Sequence, residues 1–451
     1  MERDTGTLND LPATQPQGKP LRDFSHAWRA LRHRNFRLFF GGQSISLIGT
    51  WMTRVATSWL VYRLTKSSLM LGTVGFVGQI PTFLLAPLAG VIVDRINRHS
   101  VLVWTQTIAM LQSLTLAVLT LTHHINIGEV LALSVLQGVV NAFDMPARQS
   151  FMLEMVEEQA DLSNAIAINS SMVNLARLAG PALAGILIAA TNEGWCFAID
   201  GVSYIAVIIS LLLMHVKPAA LAKTSTSMLD QLLEGWNYVM NFSPVRTILL
   251  LFAVLSLMGF PFMVLMPVFA AQVLHGGPHT LGFLMGAVGI GSLASGLSLV
   301  LRRSVRGLTG VLPVAAALFG SGLILFGLSH ALWFSILMML VTGFGMMQGT
   351  TVSNTIIQTL VDGKMRGRVM SFYMMAFVGM APFGSLLAGA LAHAFGAQRT
   401  VIFSGAMCIA GAIWFSTQRN AIRKEMRPIY ERLGIVPQRV ADPETLSPEL
   451  Q

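Results

Sequence analysis

With 451 residues, 53% of them hydrophobic and 11% charged, and a mean hydropathy of +0.63, the chain is too apolar to be a soluble protein, in which about a quarter of residues carry charge. Its 30 basic residues outnumber 21 acidic ones but are scattered over many short polar stretches. The net charge of +9 therefore reads as contact with a phospholipid bilayer rather than with nucleic acid, and two cysteines, Cys196 and Cys408, each inside an apolar run, give no sign of a disulfide framework and read as buried packing residues.

Residues 1–35 are polar and Arg-rich and lack the apolar core of a cleavable signal peptide. Within them and just beyond, Phe24, Trp28, Leu31 and Phe36 alternate with Arg29, Arg32, Arg34 and Arg37, the pattern of a helix lying on anionic headgroups. The first twenty residues and the proline-bearing tail after 435 have the composition of disordered segments. Apolar runs of the length that crosses about 30 Å of hydrocarbon follow near 41–62, 69–93, 101–122, 127–143, 165–190 and 195–214. A polar segment, 215–246, comes next, and its LDQLLEGWNYVM stretch puts Leu229, Leu233, Trp236 and Val239 or Met240 on one side of a surface helix. Six more runs lie near 247–272, 280–301, 308–329, 332–352, 369–392 and 401–418.

The expected fold is thus an all-α membrane protein of twelve transmembrane helices in two six-helix halves, 36–214 and 247–418, with a linker at 215–246 and tails at 1–35 and 419–451. If the N-terminus is cytoplasmic, every basic residue except Arg54, Arg63, Lys66, Arg177 and Arg399 falls in a cytoplasmic loop or tail. The positive-inside rule then places both termini in the cytoplasm. The halves are faintly alike: LARLAGPALAG at 175–185 and FVGMAPFGSLLAG at 377–389 set Pro181 against Pro382, and ASGLSLVLRRSVRG at 294–307 is a degenerate copy of LAGVIVDRINRH at 88–99, with Val300 in place of Asp94. Repeated halves suit a transporter that rocks about a site near the bilayer midplane.

Polar residues recur at spacings of three and four inside the oily runs. The first carries Gln43, Ser46, Thr50, Thr53, Arg54 and Thr57. The fourth has Gln137, Asn141, Asp144 and Arg148, the fifth Ser170, Asn174 and Arg177, and the tenth Gln348, Thr351, Thr355 and Gln358. Such stripes do not face lipid. The seventh run, SLMGFPFMVLMPVF at 256–269, is aromatic and Met-rich, so Phe260 and Met263 suggest an adaptable apolar wall for bulky substrates. Arg54 and Arg177 need compensation in mid-helix, from a carboxylate such as Asp200, from an anionic substrate or from cavity water; the alternative is hydrogen bonding to helix carbonyls at an interface. Asp200 itself is either a proton site or a solvated interfacial aspartate. GIGSLA at 289–294 has no preceding strand and reads as helix packing, and the pair His123, His124 lacks a third ligand, so neither a cofactor nor a metal site is expected.

The turn GVIVDRINRH at 90–99, with Gly90, Asp94, Arg95 and Arg98, resembles the loop signature of the major facilitator superfamily. DMPARQSFMLEMV at 144–156, LSNAIAINSSMVNLARLAGPALAGIL at 162–187 and RGRVMSFYMMAFVGMAPFGSLLAG at 366–389 resemble its enterobactin-exporter-like and macrolide-efflux branch. The resemblance spans about residues 30–418. It implies that helices 1, 4, 7 and 10 line a central cavity, and that Gly90, Asp94, Arg95, Arg98, Asp144 and Arg148 form a cytoplasmic latch. In that latch Asp94 meets the start of the eleventh span near Gly367 and Arg98 meets Asp144. Gly180, Pro181 and Gly185 match part of the fifth-helix exporter motif, with Ala176 and Ala184 where further glycines are usual. Ser134 stands where proton-coupled drug antiporters carry an arginine, so proton coupling does not carry over with the resemblance. The expected function is secondary export of amphipathic drug-like or siderophore-like molecules across a bacterial inner membrane, with an uptake permease and a non-transporting sensor or scaffold as alternatives. No enzyme constellation is present in the sequence.

Overall fold

A computed structural model describes residues 29–156, 161–215, 228–301 and 307–435. The expected disordered termini, and Phe24 and Trp28 of the expected surface helix, lie outside them. Six helices come first: α1 (Arg34–Thr65), α2 (Ser68–Arg95), α3 (Arg98–Leu121), α4 (Ile127–Met155), α5 (Leu162–Ala190) and α6 (Glu193–Leu212). Their connections are short and capped by the residue types that favour such turns. Ser67, Asn97, Asn126 and Asn192 each accept a bond from a first-turn amide, and Asn126 completes a capping box with Glu129. Lys66, in the left-handed region at φ 51°, closes α1 through its amide to the Tyr62 carbonyl.

The second half reads α8 (Ser243–Val254) and α9 (Phe262–Val268) as the seventh span, α10 (Pro278–Val300), α11 (Leu308–Leu328), α12 (Leu332–Leu360), then α13 (Gly363–Met374) and α14 (Ala381–Phe395) as the eleventh span, and α15 (Ala397–Arg432). Before it the linker holds α7 (Met228–Asn241). Eleven described helical stretches are long and apolar enough to cross a membrane; α1 has the length, and its polar stripe makes it the exception. The seventh and eleventh spans are interrupted by π-helical turns at Leu255–Gly259, Phe269–Val273 and Met375–Gly379. Prolines 261 and 382 stand just past two of these turns and remove amide donors from the ladder. The hydroxyl of Ser256 donates to the carbonyl of Phe377 at 2.5 Å, joining the two interruptions.

The same packing pairs recur in both halves. In the first, α1 packs on α5 and α6, α3 on α4 and α6, and α2 on α4; in the second, α8 packs on α15, α11 on α12 and α15, and α10 on α12. Between the halves α2 packs on α14 and α5 on α10, the crossed pairing that a pseudo-two-fold axis requires.

Among the described residues the seam between the halves is closed at one end only. Away from the termini, Gly72 meets Gly389 and Gly185 meets Gly282 so closely that a β-carbon on any of the four would come within 2.9 Å of opposing backbone. The edge-on ring pair Phe83 and Phe383, centroids 5.8 Å apart, lies further along the α2 and α14 contact. Towards the termini a β-carbon on Gly90, Gly296 or Gly367 would meet nothing within 4 Å, and Leu84, Leu88, Leu297 and Leu301 are exposed. These contacts also correct the expected alignment of prolines. Gly282 packs on Gly185 and the Pro181 carbonyl, whereas Gly72 packs on Gly389 and the Ser385 carbonyl, so Pro181 corresponds to Ser385 and Pro382 sits about one turn earlier.

The linker helix α7 packs on α13. Gly235 and Val239 are buried, Trp236 lies against Phe372 with centroids 5.9 Å apart, and Glu234 pairs with Arg368. The expected apolar stripe is therefore displaced: Leu233 is exposed, because the close approach is made at Gly235. Tyr238 faces Asp362 at the end of α12, and burial first and that carboxylate second hold its phenol above the ordinary range.

Candidate functional site

Near the termini the latch residues are arranged differently from expectation. Arg98, the first residue of α3, bonds Glu154 at 2.6 Å and does not reach Asp144. Asp144 is buried two turns deeper, where it accepts from Thr105 at 3.0 Å, Gln106 at 2.7 Å and Arg148 at 2.6 Å. The register of the antiparallel α3 and α4 explains the exchange: it sets residue 98 level with 154 and residues 105 and 106 level with 144. Arg95 ends α2 exposed, and Gly90 and Gly367 face open space, so among the described residues the end of α2 does not make the expected close approach to the start of the eleventh span near Gly367. The side chain of Asp94 lies outside the described residues. The segment before α1 is tied to the start of α5 by Arg29 and His33 on Asp161, and by the Ala30 amide on Asn164.

The polar stripe of α1 divides into two faces. Gln43 and Ser46 are buried, and on the same side Gly42 and Gly49 lie so close to α6 that a β-carbon would touch Ser210 and Asp200. Thr53 donates to the Asp200 carboxylate at 2.9 Å, and Ser113 of α3 donates to the same oxygen at 3.1 Å. Asp200 is 2% exposed and its other oxygen has no partner, which overturns the solvated alternative: three packed helices enclose it. Thr50 returns its hydroxyl to the Ser46 carbonyl at 3.0 Å.

On the other face Arg54 is exposed at mid-helix, and its guanidinium lies over the Trp51 ring at 4.6 Å from the centroid. Arg177 of α5 lies over the same ring at 5.3 Å. Sequence reasoning missed Trp51; the signal was there, since a tryptophan three residues before a mid-span arginine lies on the same helix face. Gly180 makes the arrangement possible, because a β-carbon there would fall 2.4 Å from that of Trp51. Pro181 contributes too. Lacking an amide hydrogen, it leaves the Arg177 carbonyl without its helical donor, and that carbonyl faces Gly289 of α10.

The remaining expected wall residues fall into two groups. Gln137 bonds Asn141 at 3.1 Å, and Asn174 donates to the Ser170 carbonyl at 3.0 Å; these three and Thr351 are partly exposed. Gln348, by contrast, is buried and accepts from Ser295 at 2.7 Å and Ser298 at 3.3 Å, which makes it a bond between α10 and α12 rather than an open wall; Gln43 is likewise packed away. Phe260, just past the π-turn at Leu255–Gly259, and Met263 of α9 are half-buried, with Phe260 edge-on to Phe377 at 5.2 Å, and α9 packs against α1 and α2 across the seam.

Two six-helix halves in crossed contact, closed at one end over an interior bearing charges and aromatic rings, define a transporter of the major facilitator superfamily. Solved structures agree in fold: a bacterial homologue of the human lysosomal transporter Spinster, in an inward-facing occupied conformation, superposes with a TM-score of 0.68 at 14% identity, covering 88% of this chain and 98% of that one. A POT family transporter in complex with 5-aminolevulinic acid gives 0.69 at 12% identity over 86% and 96%. The chain belongs to the transmembrane secretion effector family, whose model matches residues 25–429. It is similar to the staphyloferrin A transporter of Staphylococcus aureus, 25% identical over 86% of this chain and 98% of the relative. It is also similar to the multidrug efflux pump Tap of Mycolicibacterium fortuitum, 24% identical over 78% and 88%, and to macrolide efflux protein A of Streptococcus pyogenes, 22% identical over 87% and 98%. Family and relatives are transporters, not enzymes.

Proposed function

We propose that this chain is a secondary exporter that moves amphipathic small molecules out across the bacterial inner membrane by alternating access, with 36–214 and 247–418 as the two rocking bodies and both termini cytoplasmic. The observation that carries it is the one-ended seam: Gly72 on Gly389 and Gly185 on Gly282 close one side, while α2 and α10 splay from their partners on the other. With cytoplasmic termini this is an inward-open state, in which the cavity loads from the cytoplasm past Gly90 and Gly367, both facing open space. The efflux roles of the relatives support the outward direction, and the buried, half-partnered Asp200 is the carboxylate at which a coupling proton would be held. In energised inverted membrane vesicles containing the protein, the substrate accumulates inside; accumulation only in right-side-out vesicles would make it an uptake permease.

The motif proline offers a second check. Pro181→Ala restores a donor for the Arg177 carbonyl and removes a bend, so α5 straightens against α10. Transport is expected to fall several-fold or to become a leak, at unchanged abundance. Normal coupled transport in this variant would show that the bend has no role.

A further inference from the structure

We propose that Arg54, Arg177 and Trp51 form an anion site at the closed end of the seam, and that the exported molecule is an amphipathic anion, a carboxylate or phosphate on an aromatic or apolar body. This rests on the exporter reading and narrows its substrate class. Two guanidinium groups share one indole ring, at 4.6 and 5.3 Å from its centroid, and the like charge of Arg54 acts on Arg177. A mid-span arginine is costly unless it is compensated, and among the described residues no carboxylate and no hydrogen-bond acceptor is paired with either guanidinium.

No described carboxylate pairs with either guanidinium. Asp200, which accepts from the Thr53 hydroxyl one residue before Arg54, is engaged by Thr53 and Ser113 and bonds neither arginine. The Nε of Arg177 is buried with no partner. A cation over an indole is stabilised by the ring face, which offsets only part of the cost and leaves both guanidinium forks with donors to give. An incoming anion supplies what is missing: an acceptor for those donors and a counter-charge for two cations, at a depth where low polarity strengthens the contact.

The surroundings favour an aromatic or apolar body behind that anion. Gly180 packs directly on the Trp51 β-carbon, which holds the indole in place as a preformed platform, and α9, which carries the half-buried Met263, packs against α1 and α2 from the other half. The location also suits a carried ligand. Through its carbonyl Arg177 touches Gly289 of α10 at the level where the seam closes, so the pair stands where the two halves part when the cavity opens to the other side.

The test uses the purified full chain in phosphatidylcholine nanodiscs, which carry no anionic headgroup, and equilibrium dialysis with 2-naphthoate and its uncharged amide as probes. Wild type is expected to prefer the naphthoate. Arg54→Gln with Arg177→Gln should weaken naphthoate binding by at least about tenfold, the effect of losing charge-assisted bonds, while leaving the amide unchanged. Arg54→Lys with Arg177→Lys should restore part of the preference, and retained amide binding shows that each variant is folded. Equal binding of the two probes by wild type, or an undiminished preference in the double glutamine variant, overturns the proposal. Naphthoate that binds with this preference but does not accumulate in energised inverted vesicles leaves the anion site standing and removes the export reading.

Discussion

Gly185→Leu is expected to abolish transport at unchanged abundance, because under the proposed alternating access it acts on one of the two states. A β-carbon at this position falls 2.8 Å from the α-carbon of Gly282 and 2.9 Å from the carbonyl of Pro278; both are backbone atoms, and neither can swing aside. Overpacking of this kind costs about 1–3 kcal/mol, and here the penalty arises only when α5 and α10 are closed. The population therefore moves away from the inward-open state by a factor of about 5–150. Ser385, buried at 3% in the other closed contact of the seam, reports the change. Replaced by cysteine in a chain whose Cys196 and Cys408 are alanine, it should become labelled by a maleimide added from outside when Gly185→Leu is present, and stay protected otherwise. Protection in both backgrounds, with transport intact, would mean that the glycine contact is not a gate.

Asp200→Asn should separate export from its driving gradient. One carboxylate oxygen takes both hydroxyl donors, from Thr53 and Ser113, and the other is buried without a partner. A charged carboxylate left so is costly, and a proton on the free oxygen removes the charge. The groups that face this site are few: α1 presents Thr50 and Thr53, α3 presents Ser113, and Glu193, Cys196 and Tyr204 share α6 with it. Glu193 is already engaged by Arg63 at 2.8 Å. Asparagine keeps the shape and the two accepted bonds and removes the charge change. The expected result is loss of at least about tenfold in gradient-driven export, the scale of an uncoupled carrier, with substrate exchange between loaded and unloaded vesicles retained. Gradient-driven export at the wild-type rate would remove Asp200 from the coupling.

Much of this protein is legible one segment at a time. Twelve apolar runs near membrane length, caps such as Ser67 and Asn126 between them, and polar stripes at helical spacing follow from local chemistry, since the bilayer requires each span to satisfy its own backbone. The glycines and the proline of α5 and the charged turn at 90–99 were likewise visible as motifs, because a missing side chain or a missing amide hydrogen has consequences within a turn or two. Partnership between helices was not visible. Arg98 chose Glu154 over Asp144 through the register of α3 on α4, Asp200 became buried because α1, α3 and α6 close around it, and Gln348 was withdrawn from the cavity by two serines of α10. The pairing of Trp51 with both Arg54 and Arg177 arises where α1 meets α5 at Gly180, a contact between residues more than a hundred positions apart. Helical periodicity records which face a residue occupies and carries no information on which neighbour that face will meet; that choice belongs to the packing of whole helices, which only the assembled halves settle.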